Sequence, residues 1–170
     1  MSRTTKTMDA SVNGIVDKEG KYLTFSLDDE EYGIGILKIK EIIGMIEVTS
    51  VPRTPAFVKG VINLRGKVIP VIDLRLRFGL ESADYTERTC IIVVEISGTS
   101  GTVLFGVVVD SVSEVLNIRG ENIEETPLFS GNADMDYILG MAKIEGGVKL
   151  LLDIDRVLSS NEMDMIGTVH

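Results

Sequence analysis

The sequence predicts a mainly β fold of two small, similarly built barrels, and three observations carry this. Short apolar runs rich in Val and Ile recur along the chain and are punctuated by glycine turns, the pattern of small barrels or a sandwich. The two halves can be laid over each other as an internal repeat. Stretches that read as helix, such as DLRLRFG (73–79) and DIDRVLS (153–159), are short.

The elements follow in order. Residues 1–18 are polar and aperiodic and read as a flexible tail. KYLTFSL (21–27) is a strand, DDEE (28–31) a turn, and YGIGI (32–36) a second strand. LKIKEII (37–43) mixes periods, and a short helical turn is the preferred reading. IEVTSVP (46–52) reads as strand, and Pro52 and Pro55 bracket a loop. GVINL and KVIPVI flank Arg65-Gly66 as a hairpin with glycine at positive φ. Pro70 places the second of these strands at a sheet edge, because proline cannot donate to a ladder. DLRLRFG is one helical turn, capped by Asp73 and stopped by Gly79. TCIIVVEI (89–96) and TVLFGVVVD (102–110) are strands around SGTSG, followed by VSEVLNI (112–118) and a polar loop at 119–136. YILGMAKI and VKLLLDI flank Gly146-Gly147, and DIDRVLS starts a short helix. Residues 159–170 form a C-terminal tail or short helix.

The repeat is specific. Tyr32-Gly33-Ile34 matches Phe105-Gly106-Val107, and Glu41 matches Glu114, at an offset of 73. Thr54-Pro55 and Phe57 match Thr126-Pro127 and Phe129 at an offset of 72. Gly60, Gly66, Val68 and Asp73 match Gly140, Gly146, Val148 and Asp153 at an offset of 80. These residues set backbone shape, so the repeat predicts two barrels that pack together, each near the small end for an independent core. The polar residues of NLRGKVIP (63–70) do not repeat. Lys59, Asn63, Arg65 and Lys67 correspond to Leu139, Lys143, Glu145 and Gly147. The hairpin is therefore either a polar tip that blunts an edge or a contact surface, for which the fork and long stem of arginine are suited.

Several classes of function are disfavoured. A net charge of −9 opposes binding to nucleic acid through phosphates, including an oligonucleotide-binding barrel. No run is long enough to span a membrane, and the N-terminus lacks the apolar core of a secretory signal. The single histidine is His170, which removes histidine-based catalysis and histidine metal clusters. The single cysteine, Cys90, lies in an apolar strand and reads as a small buried residue, compatible with a reducing cytoplasm. The acidic runs Asp28–Glu31 and Glu121, Glu124, Glu125 read as solvated faces. GIG (33–35) lacks the dinucleotide-binding pattern. Neither a cofactor nor a metal is expected. A small carboxylate-dependent hydrolase stays as the alternative class, and it requires a cleft pair of carboxylates with perturbed pKa values.

EEYGIGILKIKEIIG (30–44), TPAFVKGVINLRGKVIPVIDLR (54–75), FGVVVDSVSEVL (105–116) and ILGMAKI with LLLDIDRVL (138–158) resemble the CheW family of chemotaxis coupling proteins, over roughly residues 20–160. The resemblance implies two pseudo-repeated five-stranded SH3-like β-barrels packed together, with short helices. It implies one domain at 19–158, with approximate halves 19–86 and 87–158. It implies a non-enzymatic adaptor that couples the cytoplasmic tips of chemoreceptors to the regulatory domain of the histidine kinase CheA. Such an adaptor is cytoplasmic and recruited to membrane-associated receptor arrays, without inserting in the membrane. The family's receptor-contact positions fall on Ile39, Glu41, Lys59, Gly60, Asn63 and Arg65.

Overall fold

A computed structural model of the chain describes residues 18–98, 101–125 and 137–158. Nearly all of the segment 1–18, the segment 159–170 and the repeat positions Thr126, Pro127 and Phe129 lie outside the described residues. The elements are β1 (Gly20–Leu27), β2 (Glu30–Gly35), β3 (Ile39–Gly44), β4 (Val58–Leu64), β5 (Lys67–Asp73), α1 (Leu74–Arg77), β6 (Cys90–Gly98), β7 (Gly101–Val109), β8 (Ser111–Ile118), β9 (Ile123–Glu124), β10 (Ile138–Ile144), β11 (Gly147–Leu152) and α2 (Ile154–Val157). Short 3-10 turns at Ile36–Lys38 and Gly120–Asn122 precede β3 and β9.

Local chemistry explains the turns. Asp28 and Asp29 between β1 and β2, and Arg65 and Gly66 between β4 and β5, all have positive φ. Two consecutive left-handed residues make the tight turn whose twist matches a hairpin. Asp73 accepts hydrogen bonds from the Arg75 and Leu76 amides, and Asp153 accepts one from the Arg156 amide, so each caps its short helix.

Four sequence expectations are corrected. The helical reading of 37–43 gives way to a 3-10 turn and then β3, which pairs with β6 from Ile39 to Gly44. Glu30 and Glu31 belong to β2 and not to the turn, because the ladder already closes at Leu27 with Glu30. The strand expected at 46–52 reduces to one bridge, Thr49 with Val61. Pro70 is not on an edge strand, since β5 lies between β7 and β4. Val61, its partner on β4, directs its amide and carbonyl to Thr49 on the other side. Pro70 therefore faces β4 at a pair that exchanges no hydrogen bonds, and pairing with β7 begins only at Val71.

The strands form two sheets of matching order, β8-β1-β2-β11-β10-β9 and β3-β6-β7-β5-β4. The repeat places β1 to β5 on β6, β7, β8, β10 and β11. Each sheet then carries the first two strands of one half and the last three of the other. The sequence halves and the sheets do not coincide: the halves exchange strands. The register repeats too. Gly33 faces Leu151 and Gly106 faces Val71 across the two parallel seams, and a bulge recurs at Val58/Gly60 and Ile138/Gly140. The Asp73 amide donates to the Phe57 carbonyl, and the Asp153 amide to that of Tyr137. The structural counterpart of Phe57 is thus Tyr137.

Three apolar clusters result. Ile92, Val94 and Ile96 on one face of β6 join Phe25, Leu27, Ile34, Phe105 and Val107 in a large core between the sheets. Ile91 and Val93, on the opposite face, join Ile62, Ile69 and Val71 inside one SH3-like unit. Tyr22, Ile118, Ile123, Ala142 and Leu151 fill the other. β6 is buried on both faces, which is why IIVV is unbroken by polar residues. Thr24, fully buried at the β1–β8 bulge, donates its hydroxyl hydrogen to the Glu114 carbonyl and accepts from the Glu114 amide, satisfying both groups.

Candidate functional site

The outer strands of the five-stranded sheet are β3 and β4, and side chains from their region meet. The Arg65 guanidinium, at the tip of the β4–β5 hairpin, donates to a carboxylate oxygen of Glu41 on β3. The sheet has curled far enough for its two margins to be tied. Arg65 itself stays open, with 69% of its side chain exposed. Its backbone is left-handed, φ 51°, at a turn position that favours Asn, Asp or Gly. Holding arginine there costs about 1 kcal/mol or more. Asn63 contributes from below: its Oδ1 accepts from the Gly66 amide at 2.8 Å. Asn63 therefore serves the turn as well as the surface, a role its failure to repeat did not reveal.

The other sequence-nominated residues are placed differently. Gly60 is buried, with φ 141°, and a Cβ there would lie 2.0 Å from the Thr49 carbonyl oxygen. It supplies shape and not a side chain. Lys59 lies at the far end of β4, its ammonium 5.7 Å from the centre of the Tyr85 ring. Ile39 is half-buried against the core between the sheets. Glu41, Asn63 and Arg65 thus form one rim, and Lys59 stands about 13 Å from Asn63 along the strand.

Apolar residues that sequence reasoning passed over are also exposed. Leu37, in the 3-10 turn, is 96% exposed, and Ile42, Ile46 and Val68 are exposed as well. Val68 pairs with Asn63 in the hairpin, so the two share a face. Hairpin register was the signal that could have found it. The repeat counterparts of Ile42 and Val68 are Val115 and Val148, and both are exposed. The apolar surface therefore recurs, but the ion pair does not. The counterparts of Arg65 and Glu41 are Glu145 and Glu114, two carboxylates that offer no cation for such a pair.

Two partly buried carboxylates, Asp73 and Asp110, are held by structural partners. Burial pushes the Asp73 carboxyl up, opposed by the Leu76 and Arg75 amides it caps. It is committed to α1. Burial also raises Asp110, but hydrogen bonds from Arg75 and the Asp28 amide outweigh this and hold it below the ordinary value. Arg75, 15% exposed, donates to both Asp110 oxygens at 2.9 Å, tying α1 to the end of β7. Cys90 is half-buried, and burial pushes its thiol up, away from the reactive thiolate. Among the described residues there is no group of three or more acidic, His or Cys residues able to hold a metal, and no helix is long and apolar enough to cross a membrane.

Two SH3-like units carrying an ion-paired rim and exposed apolar residues define a binding scaffold. The family model described as a CheW-like domain matches residues 21–162. The chemotaxis protein CheW of Klebsiella aerogenes is 41% identical over 149 residues, 88% of this chain and 87% of that protein. Protein FrzA of Myxococcus xanthus is 30% identical, with 84% of this chain and 87% of that protein covered. The crystal structure of the scaffolding protein TtCheW from Thermoanaerobacter tengcongensis matches with a TM-score of 0.77 at 35% identity, covering 87% of this chain and 98% of that one. The chain belongs to the CheW family, and its role is that of a scaffold or adaptor in chemotaxis signalling. The hydrolase alternative finds no support in these relatives.

Proposed function

We propose that this chain is a non-enzymatic bridge between chemoreceptors and the histidine kinase CheA, built on one domain at 19–158. The rim of Glu41, Asn63 and Arg65 receives the cytoplasmic tip of a receptor. Lys59 and the backbone at Gly60 extend that surface along β4, and Ile39 supports it from β3. The regulatory domain of the kinase takes other surfaces, and exposed apolar residues are the kind it would use. The protein works in the cytoplasm and is recruited to receptor arrays at the membrane.

The observation that carries the receptor surface is Arg65. It is exposed, held in a left-handed turn that disfavours it, and paired with Glu41 in one repeat only. A strained, exposed, non-repeated cation is better explained by recognition than by folding. The test is reconstitution of receptor fragment, kinase and this chain. Arg65→Glu is expected to weaken receptor binding at least tenfold and to lower receptor-coupled kinase autophosphorylation. Thermal stability should stay within about 1 kcal/mol, as for a surface change. Unchanged receptor binding by the mutant overturns the assignment.

A further inference from the structure

We propose that Arg53 joins Lys59 as a carboxylate-binding pair at the start of β4, and that the pair receives an acidic residue on a helix of the receptor tip. This rests on the receptor-binding role proposed above and names the chemistry that the far end of that surface takes. The starting observation is the backbone of Arg53. In Val51-Pro52-Arg53-Thr54 the Thr54 hydroxyl donates to the Val51 carbonyl at 2.8 Å, and Arg53 has φ 63°. A proline followed by a left-handed residue is the pattern of a type II turn, whose third position favours Gly or Asn. Arginine is strained there. Its side chain brings no compensating contact, since Arg53 is exposed and its guanidinium has no hydrogen-bond or ion-pair partner among the described residues. Solubility does not call for it either, because the chain already carries a net charge of −9.

The fold brings Arg53 to Lys59. Thr49 pairs with Val61 antiparallel, and a Cβ on Gly60 would lie 2.9 Å from the Cα of Ser50. The same register carried one residue further sets Val51 beside Lys59, and Arg53 follows at most about 7 Å beyond Val51. Lys59 also lacks a carboxylate partner within ion-pair distance among the described residues. Its ammonium sits 5.7 Å from the centre of the exposed Tyr85 ring. An aromatic face orients an ammonium without neutralising it. The Asp73 carboxylate, whose charge Lys59 favours, is 4% exposed and occupied in capping α1. By contrast Lys38, Lys40, Arg65, Arg75 and Lys149 each have a carboxylate partner. The repeat counterpart of Lys59 is Leu139, so the fold does not require its charge. Two unpaired cations brought together beside an aromatic ring, in an acidic protein, fit a carboxylate supplied by a partner. Lys59 stands about 13 Å from Asn63, a length that a helix covers in about nine residues. The partner carboxylate is thus placed about nine residues from the contact with the rim.

The test uses the full chain and the receptor fragment of the reconstitution described above. Arg53→Asn is expected to raise the melting temperature by about 2–4 °C while weakening receptor binding at least fivefold. Arg53→Lys should keep binding within about twofold, because the charge remains. Arg53→Glu should weaken binding at least tenfold. Replacing one Asp or Glu of the receptor fragment by Lys, about nine residues from its rim contact, should restore it. Sodium chloride should weaken the native complex more steeply than the Arg53→Asn complex. Unchanged binding by Arg53→Asn, or an equal loss with Arg53→Lys, overturns the proposal. So does a melting temperature that falls with Arg53→Asn, which would show that the fold itself needs the arginine, or a loss of binding confined to the kinase regulatory domain. Arg65→Glu is measured alongside. A loss with Arg65→Glu but not with the Arg53 variants overturns this pair and leaves the rim standing, whereas a loss with neither overturns both.

Discussion

Arg65 and Gly60 show two ways in which a single residue matters here. The Arg65 position would be more comfortable with asparagine, which tolerates the left-handed turn. Arg65→Asn is expected to keep or raise the melting temperature while weakening receptor binding, a split that circular dichroism and titration with a receptor fragment would resolve. A protein better folded and equally tight in binding would remove the functional reason for the arginine. Gly60 behaves oppositely. A Cβ would run into the Thr49 carbonyl and demand a φ of 141° from an L-residue. Gly60→Ala is expected to cost more than about 3 kcal/mol in urea unfolding, losing binding through the fold and not through a contact. The hairpin and its glycine were legible in NLRGKVIP because turn chemistry is local. The partner of Arg65 was not, because Glu41 lies 24 residues away along the chain.

At the scale of elements, failures of local reading share a cause. Residues 37–43 mix periods because β3 is a short outer strand whose alternate residues, Ile39, Glu41 and Ile43, are half-buried. Only pairing with β6 decides strand over helix. Pro70 misled because proline is tolerated wherever its missing donor faces no partner, and that condition depends on the Thr49 bridge. Between elements, the Arg75–Asp110 pair links α1 to the β7–β8 corner, with the Asp28 amide on the same carboxylate. Because the Asp110 carboxyl is held below its ordinary value in the fold, its stabilisation is complete above about pH 4 and fades as pH falls through the depressed value. The melting-temperature gap between the native chain and Asp110→Asn is therefore expected to be widest near pH 6 and to narrow toward pH 3. A gap that does not change with pH would show that the pair acts by shape alone.

For the molecule as a whole, the exchanged strands imply a single folding unit. Two sequential barrels would melt as two transitions. Here Phe25, Ile34, Ile92 and Val107 from both halves share one core. Unfolding in urea is expected to be one transition, coincident by fluorescence and circular dichroism. Phe25→Ala, at a fully buried site, should shift that transition as a unit by about 3–5 kcal/mol. Two separable transitions would mean that each half, or each sheet, stands alone.

The sequence by itself determined the β character, the hairpins, both Asp-capped helices and the existence of a repeat, because alternation, turn residues and caps act within a few positions of each other. It also marked Asn63 and Arg65 as departures from that repeat. The tertiary structure alone decided that the halves interleave and that Arg65 meets Glu41. It likewise decided that β5 is an inner strand and that Leu37 stands in solvent while Ile92 is sealed. Those outcomes depend on which strand lies beside which. A chain of similar apolar strands does not encode that choice locally, since Val and Ile fit many neighbours, and only the joint closure of the core and its charge pairs selects one arrangement.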